Sequence, residues 1–96
     1  MNIQILHDAE LDLLEGYAFY ENQTSGLGDY FLDSVFADID SLKLFSGAHE
    51  IRFGYHRLLT RRFPFSVFYR VNAEVIEVWA VLDCRKKPEN IRDRLC

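Results

Sequence analysis

Apolar and polar positions alternate with a period of two through Arg57–Leu82, the most regular stretch of the chain. Phe63, Phe65, Val67, Tyr69 and Val71 share one side by this alternation, and Ile76, Val78, Ala80 and Leu82 do the same in the run that follows. A two-residue period in aromatic and β-branched side chains predicts strands with one packed face. Three consecutive strands of an antiparallel sheet are expected here. Asn72-Ala73-Glu74 between two of them is short and polar enough for a tight hairpin loop. Pro64 has no N–H to give a ladder, so it belongs at the start of its strand.

Upstream the period changes. Ala9, Leu13, Leu14, Tyr17 and Tyr20 recur at the spacing of one helical stripe, predicting a helix from about Asp8 to Glu21 with His7-Asp8 as its N-cap. Gly16 costs such a helix about 1 kcal/mol against alanine, so the helix must lean on packing. Residues 22–26 are polar and end in glycine, a break. A longer helix follows, about Leu27 to Phe45, with Phe31, Val35, Ile39, Leu42 and Phe45 inside and Asp29, Asp33, Asp38 and Asp40 mostly outside. The short break makes the two helices an antiparallel hairpin, and the sheet is the surface available to bury its stripe. Met1–Leu6 alternates weakly, enough for a short first strand, and Pro88 opens a terminal helix carrying Ile91 and Leu95. The expected architecture is one α+β domain over residues 1–96. An N-terminal helical hairpin packs on a small antiparallel β-sheet, and a short C-terminal helix follows.

Composition narrows the picture. Apolar residues make up 49% of the chain, enough for a packed core and too many for disorder. No run of about 18 apolar residues could span a bilayer, and the first residues lack the pattern of a secretory signal. Cys84 and Cys96 have neither metal-ligand nor redox spacing, so free thiols in a reducing cytoplasm are expected. Charge is segregated. Residues 1–51 hold ten acids and one base, Lys43, whereas residues 52–96 hold ten bases and five acids. Such a dipolar chain offers a basic end to an acidic partner. The candidate surface comprises Arg57, Arg61, Arg62, Arg70, Arg85, Lys86 and Lys87, with Arg92 and Arg94 continuing the charge. Arginine is the usual anchor of protein interfaces.

Several segments together carry a family resemblance: Gly26-Leu27-Gly28 followed by Phe31, Arg57, then RRFPFSVFYRV, IEVWAVL and the basic-Pro tail RKKP. The chain resembles the RelE/ParE toxin superfamily of type II toxin–antitoxin systems, and is closer to its ParE branch. Asp83 stands where many relatives carry histidine, and no proline occurs near Ser46–His49. The resemblance implies a cytoplasmic toxin neutralised by a cognate antitoxin, whose tail wraps across helices and sheet in a hetero-oligomer. It implies DNA gyrase as the target if the chain acts like ParE, through binding to protein and without direct DNA binding of its own. The alternatives are ribosome-dependent cleavage of messenger RNA, as by RelE, or a non-toxic remnant that still binds antitoxin.

Cleavage requires groups to activate a 2′-hydroxyl, stabilise the phosphate charge and protonate the leaving oxygen. Aligned on FSVFYRV, the family's basic positions on the middle strands fall at Arg57, Leu59 and Ser66, and no tyrosine follows Tyr69. A pI of about 5.2 also suits a binder of ribosomal RNA poorly. No catalytic residue is therefore assigned. His7, His49 and His56 lack ligand spacing, and no metal or cofactor is expected.

Overall fold

The computed structural model describes residues 1–95. In chain order the elements are β1 (Asn2–Ile5), α1 (His7–Glu21), α2 (Leu27–Asp40), α3 (Leu42–Phe45), β2 (Ile51–Arg52), β3 (Tyr55–Leu59), β4 (Phe65–Asn72), β5 (Val75–Asp83) and α4 (Pro88–Leu95). They form a five-stranded sheet in the order β1-β5-β4-β3-β2. The β2–β3, β3–β4 and β4–β5 pairs are antiparallel.

The sheet departs from the expected architecture. It is mixed, and the chain begins with a strand rather than with the helical hairpin, because β1 pairs parallel to β5. Ile3 stands opposite Ile76 and Ile5 opposite Val78, with N–H donations from Asn2 to Glu74 O (3.1 Å) and Leu6 to Val78 O (3.0 Å) closing the ladder. The physical reason is burial: this register packs Ile3 and Ile5 against the core that Val78 shares with α1 and α2.

A second departure lies within β5. The β4–β5 register slips by one residue, so that Phe68 faces Ala80 while Tyr69 faces Val78. Trp79 is the extra residue of a β-bulge, and a bulge inverts the alternation beyond it. Ile76 and Val78 therefore point to the helical hairpin, whereas Ala80 and Leu82 point to the opposite face. Val81 takes over on the hairpin side. Part of the opposite face is covered by α4, whose Ile91 and Leu95 meet Tyr55, Phe68, Ala80 and Leu82. Both sides of β4 are thereby buried, and Phe65, Ser66, Val67, Phe68 and Tyr69 are all buried in succession.

The helices form as their stripes demand, with adjustments. Leu6, without a side-chain cap bond, begins α1 in place of the expected His7-Asp8 cap. Leu14 is exposed and Gly16 joins Ala9, Leu13 and Tyr20 in the buried stripe. The second helix ends at Asp40, and Leu42–Phe45 forms a separate short turn. Gly26 enters α2 at φ 88°, a conformation glycine adopts without strain. The Glu21 carboxylate accepts the N–H groups of Gly26 (3.1 Å) and Gly28 (2.9 Å), so the end of one helix caps the start of the next.

Asp12 ties three elements together. Its carboxylate accepts the Val81 N–H at 2.9 Å, where β1 no longer covers the edge of β5. The same group receives both terminal nitrogens of Arg94 on α4, at 2.6 and 2.8 Å. A second knot holds the loop before β2. Gly47 N–H donates to the Tyr69 hydroxyl at 2.9 Å, and the same hydroxyl shares a hydrogen bond with His49 Nδ1 at 2.6 Å. His56 stacks on Tyr69 and its Nδ1 donates to the His49 carbonyl at 2.8 Å.

Two stability predictions follow from this packing. A Cβ at Gly28 would sit 2.8 Å from the Tyr17 carbonyl oxygen, a backbone atom that cannot step aside. Gly28→Ala should cost about 1–3 kcal/mol, read as a lower Tm, and an unchanged Tm would contradict the helix spacing. Burial, assisted by neighbouring His56, holds His49 below its ordinary pKa of 6.5. Folding thus favours the neutral ring, so this stability is complete above pH 6.5 and declines as pH falls below it. Melting at pH 7.5 and 5.5 should show that decline, and His49→Gln should flatten it.

Candidate protein-binding surface

The basic residues singled out in the sequence divide between two places. Arg61 and Arg62 lie in the β3–β4 connection, not on a strand, and Arg85, Lys86 and Lys87 follow β5. These two segments share one end of the sheet, because Phe65 pairs with Asp83 and Cys84 N–H donates to Pro64 O at 2.7 Å. Arg57 and Arg70 instead stand on the sheet face turned away from α1 and α2, as the register with Phe68 and Glu77 requires.

Their surroundings differ more than their positions. The Arg61 N–H and Nε reach the Asp38 carboxylate at 3.0 and 3.1 Å. Asp38, expected outside, is consequently buried on α2, its charge satisfied from the loop. Arg85 folds back on Asp83 with its closest contact at 2.6 Å. Its hydrogen bond holds the Asp83 carboxyl below the usual range, and the carboxylate in turn raises Arg85. Arg62, Lys86 and Lys87 are exposed and have no ion-pair partner among the described residues. Arg57 meets Glu50 at 2.7 Å, and Arg52 meets the same oxygen at 3.0 Å. The Arg70 guanidinium lies 3.9 Å from the Tyr55 ring centroid and 5.5 Å from that of Trp79. Its Nε donates to Gly54 O at 3.2 Å.

The groups that phosphate chemistry would need do not converge on Arg57. Leu59 and Ser66 face each other across β3 and β4 on the Arg57 side. Ser66 is buried with its hydroxyl 3.0 Å from the Cys84 sulfur. His56 is adjacent in sequence but points to the other face, held by Tyr69 and the His49 carbonyl. Among the described residues, no group of three or more His, Cys, Asp or Glu side chains could hold a metal ion. Among the described residues, no helix is long and apolar enough to cross a membrane.

A surface absent from the sequence reading lies on the other side of the molecule. β1 is an edge strand, and the N–H groups of Asn2 and Leu6 are taken by β5, which turns those of Ile3 and Ile5 outward. Beside this edge runs an open trough of about 1010 Å³ between β1 and α2, lined by Ile3, Ile5, Phe36 and Ile39. A smaller cavity continues it toward Leu13, Leu14 and Leu32. Phe36 and Leu14 are exposed within it, and Glu10, Asp33 and Asp40 stand along its margins. Only the weak alternation of Ile3 and Ile5 hinted at it, because an edge is defined by a pairing some seventy residues away.

No family model and no curated relative matches the chain. Among solved structures, the chain is similar to one of the chromosomal ParDE TA system from P. aeruginosa, with a TM-score of 0.69. The match covers 84% of this chain and 92% of that one, at 20% identity. At that identity the likeness is one of fold, and it agrees with the resemblance carried by RRFPFSVFYRV and IEVWAVL.

Proposed function

We propose that the chain is the toxin of a type II toxin–antitoxin module. In this reading it acts in the cytoplasm, inhibits DNA gyrase by binding it, as ParE-like toxins do, and is neutralised by a cognate antitoxin. The observation that carries the reading is the fold shared with a ParDE chain across most of both lengths. The open β1 edge and its apolar trough support a wrapping partner. An extended antitoxin segment could add a strand to that edge and place alternate side chains in the trough. Glu10 and Asp33 along the margin favour lysine or arginine on the segment's outer side, Asp40 being paired already with Lys43. Arg57, Arg61, Arg62, Arg70, Arg85, Lys86 and Lys87 are proposed as the surface for target or antitoxin, with Arg62, Lys86 and Lys87 the most available. Binding is favoured over cleavage because Leu59 and the buried Ser66 occupy positions where a nuclease would need cations.

A supercoiling assay tests the activity. Micromolar chain should suppress gyrase, and undiminished supercoiling would remove gyrase from the proposal, with ribosome-dependent transcript cleavage the outcome to examine instead. Phe36→Lys tests the trough. It should weaken antitoxin binding by about 2 kcal/mol or more while leaving gyrase inhibition intact, and equal affinity for both chains would place the antitoxin elsewhere.

A further inference from the structure

We infer that the sheet face carrying Arg57 and Arg70 is a docking site for a carboxylate-bearing segment of a protein partner, and that Glu50 occupies part of it as an internal competitor. The inference deepens the reading of the arginines as a binding surface, and rests on that reading without requiring gyrase to be the partner.

Arg70 is prepared for such a ligand. Its guanidinium is held over the Tyr55 ring with Trp79 nearby, and the Nε bond to Gly54 O fixes the plane. Stacking of this kind leaves the terminal amino groups as a rigid fork suited to a carboxylate. Glu77 faces Arg70 in the β4–β5 register, yet the two make no ion pair.

Arg57 supplies the second point. It stands on β3, two residues beyond Tyr55, with Phe68 as its partner on β4. One oxygen of Glu50 serves both Arg57 and Arg52, so two guanidinium groups already converge on a single carboxylate. Glu50 is bound to this region twice over, because its carbonyl also accepts the Arg57 N–H at 2.9 Å. The backbone contact can persist while the exposed side chain swings away, which makes exchange for an incoming carboxylate inexpensive. Two donors on this same face also lack acceptors among the described residues: Arg57 Nε and Trp79 Nε1 are buried and unpartnered there. Buried donors without partners are uncommon, and the Arg57 or Trp79 side chain would have to shift to bring either to an arriving acceptor.

Spaced carboxylates suit the site better than a continuous phosphate backbone. Among the described residues the strands place three cations on this face, Arg52, Arg57 and Arg70, few for a nucleic-acid binder.

The probe is a fluorescein-labelled hexaglutamate peptide, with a labelled oligouridylate of the same length in parallel, both followed by fluorescence anisotropy. Glu50→Gln keeps the shape of the competitor and removes its charge, and should tighten hexaglutamate binding roughly tenfold, the scale of one charge-assisted hydrogen bond. Arg70→Ala should weaken binding by at least that factor. Arg70→Lys, which keeps the charge and the fold but not the fork, should weaken it nearly as much. Lys43→Ala, on the far side of the molecule, should change nothing. The inference is overturned if Glu50→Gln binds no better than the parent, if Arg70→Lys matches it, if Lys43→Ala loses as much as Arg70→Ala, or if oligouridylate outcompetes the peptide. None of these readings needs gyrase or antitoxin. A chain inert toward gyrase that still gains from Glu50→Gln would sink the target and keep the site.

Discussion

A single extra residue in β5 governs how the molecule is layered. A strand offers alternate side chains to opposite faces, so an uninterrupted β5 would commit Ile76, Val78, Ala80 and Leu82 to one side. The bulge at Trp79 divides them, giving the first pair to the helical hairpin and the second to α4. Without that division the α4 face would lose Ala80 and Leu82, and Val81 would leave the core under the hairpin. The bulge lies close to the place where Asp12 reaches the edge of β5 and captures Arg94. One irregularity thus brings about both the second core and the clasp that holds it.

Charge segregation along the chain does not produce two separately charged lobes. Arg61 crosses to Asp38 on α2, and Arg94 crosses to Asp12 on α1, so the acidic hairpin and the basic remainder are stitched together at both points. What remains for recognition is therefore smaller than the count of arginines suggests. It consists of unpaired cations at the end of the sheet and a few guanidinium groups arranged on its outer face. Of the hairpin acids that make no such crossing, Asp33 lines the trough beside β1, and Asp40 is there paired with Lys43.

Much of the architecture could be read from the residues, and its failures have identifiable causes. Alternation found β3, β4 and β5, and helical spacing found α1, α2 and α4, because those signals arise within each segment. The parallel pairing of β1 could not be seen, since Ile3 and Ile5 look alike beside either a parallel or an antiparallel neighbour. The bulge was hidden because Ile-Glu-Val-Trp-Ala-Val-Leu keeps apolar residues at both parities past Val78, and either phase satisfies the pattern. Asp38 read as a surface acid because nothing local announces a loop N–H and an arginine 23 residues later. The basic surface was legible as composition only. Which guanidinium groups are free depends on Glu50, Asp83, Asp38 and Asp12, and their placement is decided by the fold.

The pairing of Asn2–Ile5 with Val75–Val78 also constrains when the molecule becomes recognisable. During synthesis the first strand emerges with nothing to join, and waits until the last strand has left the ribosome. One wall of the trough between β1 and α2 is absent from every shorter chain. A partner that read this wall would meet it only once β1 had paired with β5.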